Sequence, residues 1–158
     1  MPKKPTARRI ALAADHGGRR LKDLLRDYLR QRGEQVEDLG TDGDESVDYP
    51  DFAARLARRI EDGKCTLGIL VCGTGIGMSI SANRFLAVRA ALCTSAFTAR
   101  MARAHNDANV LCLGERVTGP GEALDILEAF LQTPFEGGRH ARRLRKISAL
   151  TAGGRPKP

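Results

Sequence analysis

Cys72 is followed at once by glycines at alternate positions, Gly73, Gly75 and Gly77, and preceded by the apolar run LGILV. A thiol at a strand end can act as nucleophile or base, and a glycine loop lets backbone N–H groups approach a small anion closely. If a helix begins where the loop ends, its unpaired first-turn N–H groups and partial positive charge favour both a thiolate and a bound anion. Met78 to Phe85 has the composition of such a helix. The spacing G-x-G-x-G differs from the G-x-G-x-x-G of a dinucleotide turn, no acidic residue ends a strand about twenty positions on, and no G-K-[ST] follows. The chemistry expected is therefore proton transfer or nucleophilic attack beside a stabilised anion. Cys65, Cys93 and Cys112 lack this setting and read as small buried hydrophobes.

Other reactive groups cluster in three places: Asp15-His16-Gly17-Gly18, His105-Asn106-Asp107 and Gly137-Gly138-Arg139-His140. No pair of histidines has ligand spacing on one helix, so a metal-free site without cofactor is expected. Arg139 and Arg143 are four apart, which puts both guanidinium groups on one helical face, a fork suited to phosphate. Arg142, Arg145 and Lys146 read as a solvated basic face, and Arg116 is a further phosphate candidate. Asp48 and Tyr49 precede Pro50; both could line the same mouth, with helix capping the expected role of Asp48.

The elements that must carry these groups alternate. Strands are expected at Ile10–Ala14, Val36–Leu39, Leu67–Val71, Ala87–Leu92 and Val110–Leu113. Helices are expected at Arg19–Gln31, Phe52–Glu61, Met78–Phe85, Ala96–Ala104 and Gly121–Leu131. Leu21, Leu24, Leu25, Tyr28 and Leu29 make an apolar stripe at helical spacing. Five rounds of βα predict a three-layer, Rossmann-like, doubly wound five-stranded parallel sheet with helices on both faces, plus a C-terminal helix. A flavodoxin-like order, 2-1-3-4-5, would set the ends of strands 1 and 3 side by side at the switch point, where such folds bind ligands.

The chain has 158 residues, 42% of them apolar, enough for one domain with an aliphatic core. That domain is expected over 8–150, with basic tails at 1–7 and 151–158. Much of the net charge of +7 lies towards the two ends. No aromatic residues interleave with the arginines to stack on bases, which argues against nucleic acid. The first apolar stretch is broken by Asp15 and His16, so no signal peptide or membrane span is expected. Four cysteines without metal-type spacing or an export signal point to a reducing cytoplasm.

Taken together, AADHGG at 13–18, VDYPDFA at 47–53, GILVCGTGIGMSISANRF at 68–85, RAALC at 89–93, ARAHNDANVLCLGERV at 102–117 and FEGGRHARRL at 135–144 resemble the RpiB and LacAB sugar-phosphate isomerase family, on its RpiB side. The resemblance spans roughly residues 8 to 150. It implies metal-free interconversion of an aldose phosphate and its ketose through a cis-enediolate, and a pentose 5-phosphate of the non-oxidative pentose phosphate pathway as substrate. It assigns Cys72 as the base between C1 and C2, with Gly73, Thr74, Gly75, Ile76 and Gly77 cradling the enediolate oxygens and Thr74 assisting by hydrogen bonding. His105 would open the furanose ring and Asp15 hold the sugar hydroxyls. His16, Arg116, Arg139 and Arg143 would grip phosphate, and Asn106 would be a further substrate contact. One family branch has glutamate where Met78 stands here and lacks the cysteine, so this chain is similar to the cysteine-dependent branch. The resemblance also implies a homodimer or homotetramer with sites between subunits. The alternatives are a six-carbon aldose phosphate, such as allose 6-phosphate or galactose 6-phosphate, and a non-catalytic phosphosugar- or nucleotide-binding module.

Overall fold

The computed structural model describes residues 8–151; the expected basic tails lie outside the described residues, apart from Thr151. The strands are β1 (Arg9–Ala14), β2 (Gln35–Asp38), β3 (Leu67–Cys72), β4 (Ala90–Leu92) and β5 (Val110–Gly114). The helices are α1 (Arg19–Gln31), α2 (Tyr49–Glu61), α3 (Ile76–Ala82), α4 (Ala96–Asn106), α5 (Pro120–Gln132) and α6 (Arg139–Thr151). All sheet pairings are parallel.

Alternation along β1 builds both faces of the core. Ile10, Leu12 and Ala14 face α1, α4 and α5, joining Leu21, Leu25 and Leu29 of α1 and Ile126, Leu127 and Phe130 of α5. Ala11 and Ala13 face α2 and α3, joining Phe52, Leu56, Met78 and Ala82. Helix α6 packs on α4 outside these two layers.

The strand order is 2-1-3-5-4, so the last two strands are exchanged relative to the flavodoxin-like order expected. Burial explains the exchange. Every residue of β5 is buried, as an interior strand requires, whereas β4 has three residues, all half-buried, and makes a short edge. The exchange sets Cys72 opposite Gly114, so the turn after β5 lies against the glycine loop after β3. β1 feeds a helix on one face, and its neighbour β3 feeds a helix on the other. The switch point therefore falls between them.

Helix boundaries shift by a few residues. α2 begins at Tyr49, α3 at Ile76 and not at Met78, and α4 runs on through His105 and Asn106. Asp48 occupies the N-cap position of α2, but its side chain makes no capping bond; Pro50 in the first turn sets the start instead.

Candidate active site at the switch point

Cys72 ends β3 with its side chain on the α2–α3 face, 5% exposed. Gly75 N–H donates to its Sγ at 3.0 Å. That bond needs the chain to turn back at once, and Gly75 does so at φ 79°. A Cβ there would also lie 2.6 Å from Leu92 Cδ1 and 2.9 Å from the Leu113 carbonyl carbon, so both conformation and space demand glycine. Thr74 and Ile76 are exposed beside it, and the first turn of α3 offers N–H groups without intrahelical acceptors. Gly77 meets Tyr49, whose ring would be 2.6 Å from a Cβ at that position.

The neighbouring loops close on this turn. Gly17 abuts the Gly73 backbone, with 3.4 Å between its would-be Cβ and Gly73 N. Asp15 is 8% exposed and accepts from Gly17 N–H at 2.9 Å. His16 is exposed; its Nδ1 accepts from Val47 N–H at 3.2 Å, which leaves Nε2 as the nitrogen carrying the proton in the neutral ring. After β5, Glu115 N–H donates to the Cys72 carbonyl and Arg116 N–H to that of Gly73, at 2.9 and 3.0 Å. These bonds lay the Arg116 guanidinium over Gly73. Glu115 Oε2 also accepts from Leu21 N–H, tying the start of α1 to the same loop.

Asp15, His16, Cys72, the Gly73–Gly77 loop and Arg116 thus meet at one edge of the sheet. His105, Asn106, Arg139 and Arg143 do not join them. Helix α4 runs antiparallel to the strands and ends at the opposite edge, where the Asn109 carbonyl just beyond it takes the N–H of Gly68 at the start of β3. Five steps along β3 at about 3.3 Å each separate the two edges by about 17 Å.

At that far edge His105 and His140 stack, with centroids 4.2 Å apart and rings 8° from parallel. Glu136 Oε2 lies 3.4 Å from His140 Nε2 and 3.9 Å from His105 Nε2. This grouping is not legible in the sequence. Its one local signal was the four-residue step from Glu136 to His140; the contact to His105 spans the fold. The three side chains offer ligand atoms within 4.8 Å of one another, which is the proximity a metal site needs. In-plane lone pairs of two nearly parallel rings do not converge on one point, so a ring would have to turn before both could bind one ion. Arg139 and Arg143 flank His140 on α6, and both are exposed.

The other thiols behave as expected. Burial pushes Cys65 and Cys93 up to about 11. Fully buried Cys112 is raised as well, by burial first and by the nearby cysteines next. Among the described residues no helix is long and apolar enough to cross a membrane.

A doubly wound α/β protein with a thiol and a glycine cradle at its switch point is the class that fold and site define. The chain belongs to the Ribose/Galactose Isomerase family, whose model matches residues 10–147. It is 43% identical to ribose-5-phosphate isomerase B of Escherichia coli over 143 residues, covering 90% of this chain and 96% of that one. It is 47% identical to the D-erythrulose-4-phosphate isomerase of Pectobacterium atrosepticum over 140 residues, covering 87% and 91%. The solved structure of Clostridium thermocellum ribose-5-phosphate isomerase B superposes with a TM-score of 0.90 at 51% identity, covering 91% of this chain and 97% of that one.

Proposed function

We propose that this sugar-phosphate isomerase interconverts D-ribose 5-phosphate and D-ribulose 5-phosphate through a cis-enediolate. The observation that carries the reading is the Cys72 sulfur, held by Gly75 N–H at the mouth of a turn that requires glycine at Gly75. In this reading Cys72, as thiolate, takes the C2 proton of the open-chain aldose and returns it to C1. The charge passes to the two oxygens of the enediolate, where the Gly73–Gly77 backbone and Thr74 donate. Preorganised donors aimed at a developing oxyanion are commonly the largest single contribution to such a step. Arg116 and His16 Nε2 hold the phosphate end, whose binding energy orients the reacting carbons.

Ring opening is assigned to His105, with Asn106, Arg139 and Arg143, contributed by a second copy of the chain. Within one chain the two groups lie at opposite ends of β3, a strand about 17 Å long, and that separation supports this arrangement. Ile76, Ile80, Leu86 and Phe97 are exposed, and a partner would cover such side chains. The assembly is then a homodimer or a pair of dimers, acting in the cytoplasm on a small sugar phosphate without metal or nucleic acid.

The Pectobacterium relative gives a second reading, a four-carbon sugar phosphate. Initial rates with ribose 5-phosphate, erythrulose 4-phosphate, allose 6-phosphate and galactose 6-phosphate, each measured with and without a chelator, decide it. The proposal expects the highest kcat/KM for ribose 5-phosphate, unchanged by chelation. A higher value for another sugar, or loss on chelation with recovery on adding a divalent ion, overturns it.

A further inference from the structure

The His105–Glu136–His140 group is more elaborate than a ring-opening histidine alone requires. His140 is almost fully enclosed, its side chain 7% exposed, whereas His105 is 37% and Glu136 58% exposed. A fixed ring is therefore stacked on one that faces outward. The backbone is built to bring them together. Gly137 and Gly138 adopt φ 69° and 54°, and nothing lies within 4 Å of a Cβ at either, so conformation alone calls for glycine. This paired left-handed turn starts α6 and lays His140 against the end of α4. Glu136 N–H then pins the turn to the Ala104 carbonyl at 3.0 Å.

We propose that His140 and Glu136 are positioning residues for His105: His140 fixes the plane of the His105 imidazole by stacking, and the Glu136 carboxylate, 3.4 Å from His140 Nε2 and 3.9 Å from His105 Nε2, draws the two Nε2 edges to one side. The inference rests on the reading of His105 as the ring-opening group. A half-exposed imidazole has two free side-chain torsions, and proton transfer to a ring oxygen requires a defined direction. A misplacement of about 1 Å can cost about 10²-fold in rate. The charged and titratable groups facing His140 are His105 from α4, Glu136 from the connection before α6, and Arg139 and Arg143 on α6 itself. Burial first, then His105 and the arginines, hold His140 below the ordinary histidine range against the pull of Glu136. A neutral His140 stacks on His105 whichever protonation state the reaction demands of its partner.

The test separates ring opening from carbon chemistry. Ribulose 5-phosphate cannot form a furanose ring, so exchange of its C1 proton with solvent deuterium needs no ring opening. His140→Ala is expected to lower kcat for ribose 5-phosphate about 10- to 100-fold with KM little changed, and to leave the C1 exchange within about threefold of wild type. His140→Phe restores a stacking ring without a titrating nitrogen and should recover most of kcat; Glu136→Gln should fall between the two. In parallel, NMR of the His105 ring protons should lose the ring-current shift and broaden in His140→Ala but not in His140→Phe, whatever the substrate. Circular dichroism controls for folding. Equal loss of turnover and exchange, no rescue by phenylalanine, or unchanged His105 resonances would overturn the positioning role. A wild-type enzyme inert towards ribose 5-phosphate, or a His105→Asn variant with normal turnover, would instead remove the functional reading, with the NMR result still deciding whether His140 orders the ring.

Discussion

Replacing Cys72 by alanine deletes one sulfur from a site otherwise shaped by backbone, so fold and phosphate binding should survive while turnover does not. Cys72→Ala is expected to lose about 10²- to 10⁴-fold or more in kcat, the usual range for a positioned base, and to abolish C2 proton exchange. Iodoacetamide should inactivate the wild type with one modified residue by mass spectrometry, and ribose 5-phosphate should protect. Cys65 and Cys93, pushed up to about 11 by burial, should stay unlabelled. Inactivation that tracks labelling of another cysteine would return Cys72 to a merely structural role. A second residue-level expectation concerns acid. His140 is held below the ordinary histidine value, about 6.5, mainly by burial. Its unfolded form binds the proton more readily, so stability is full above about pH 6.5 and declines as pH falls towards the depressed folded value. Melting temperatures between about pH 8 and about pH 5, which bracket an ordinary histidine, should fall more steeply for wild type than for His140→Phe. Parallel curves would show that His140 does not carry this dependence.

At the scale of elements, the β3–α3 turn is the sensitive joint. Gly75→Ala meets both a left-handed φ and the backbone of Leu113, and should cost about 1–3 kcal/mol in urea denaturation while lowering kcat through the displaced Gly75 N–H. A variant as stable and active as wild type would mean that the turn has another low-energy form. This joint was legible in the sequence because its determinants are local: an apolar run, a thiol, and glycines at alternate positions. The apolar stripe of α1 and the alternation of strand and helix were legible for the same reason. The places of β4 and β5 were not. Both read as short apolar runs, and only packing in three dimensions gives the fully buried VLCLG the interior position and leaves AAL at the edge. Glu136 was missed for a related reason: its meaning depends on a stack between the end of α4 and the start of α6, thirty-five positions apart by the numbers of His105 and His140.

For the whole molecule, the division of candidate groups between opposite edges of one sheet makes a prediction that no single-chain enzyme shares. If each site takes Cys72 from one copy and His105 from another, Cys72→Ala and His105→Asn are each inactive alone. Co-expressed, they should regain about a quarter of wild-type activity, since random pairing makes half the dimers mixed and each mixed dimer has one intact site. Activity of the mixed dimer isolated with two different affinity tags is the measurement. No recovery in a confirmed mixed dimer would place both residues in one chain's site, against the geometry of β3.

The length of β3 then has a consequence for inheritance. If sites are shared between copies in this way, a chain damaged at one edge still lends its sound edge to a neighbour, and a lesion at Cys72 alone lowers activity only in proportion to the share of damaged copies. A chain damaged at both edges spoils every site of any dimer it enters, and its effect is dominant. Because a site is sound only when both contributed ends are, two lesions at half share each would leave about a quarter of the sites whether they ride on separate copies or on one, so the two ends of a single strand are selected as though they were two genes.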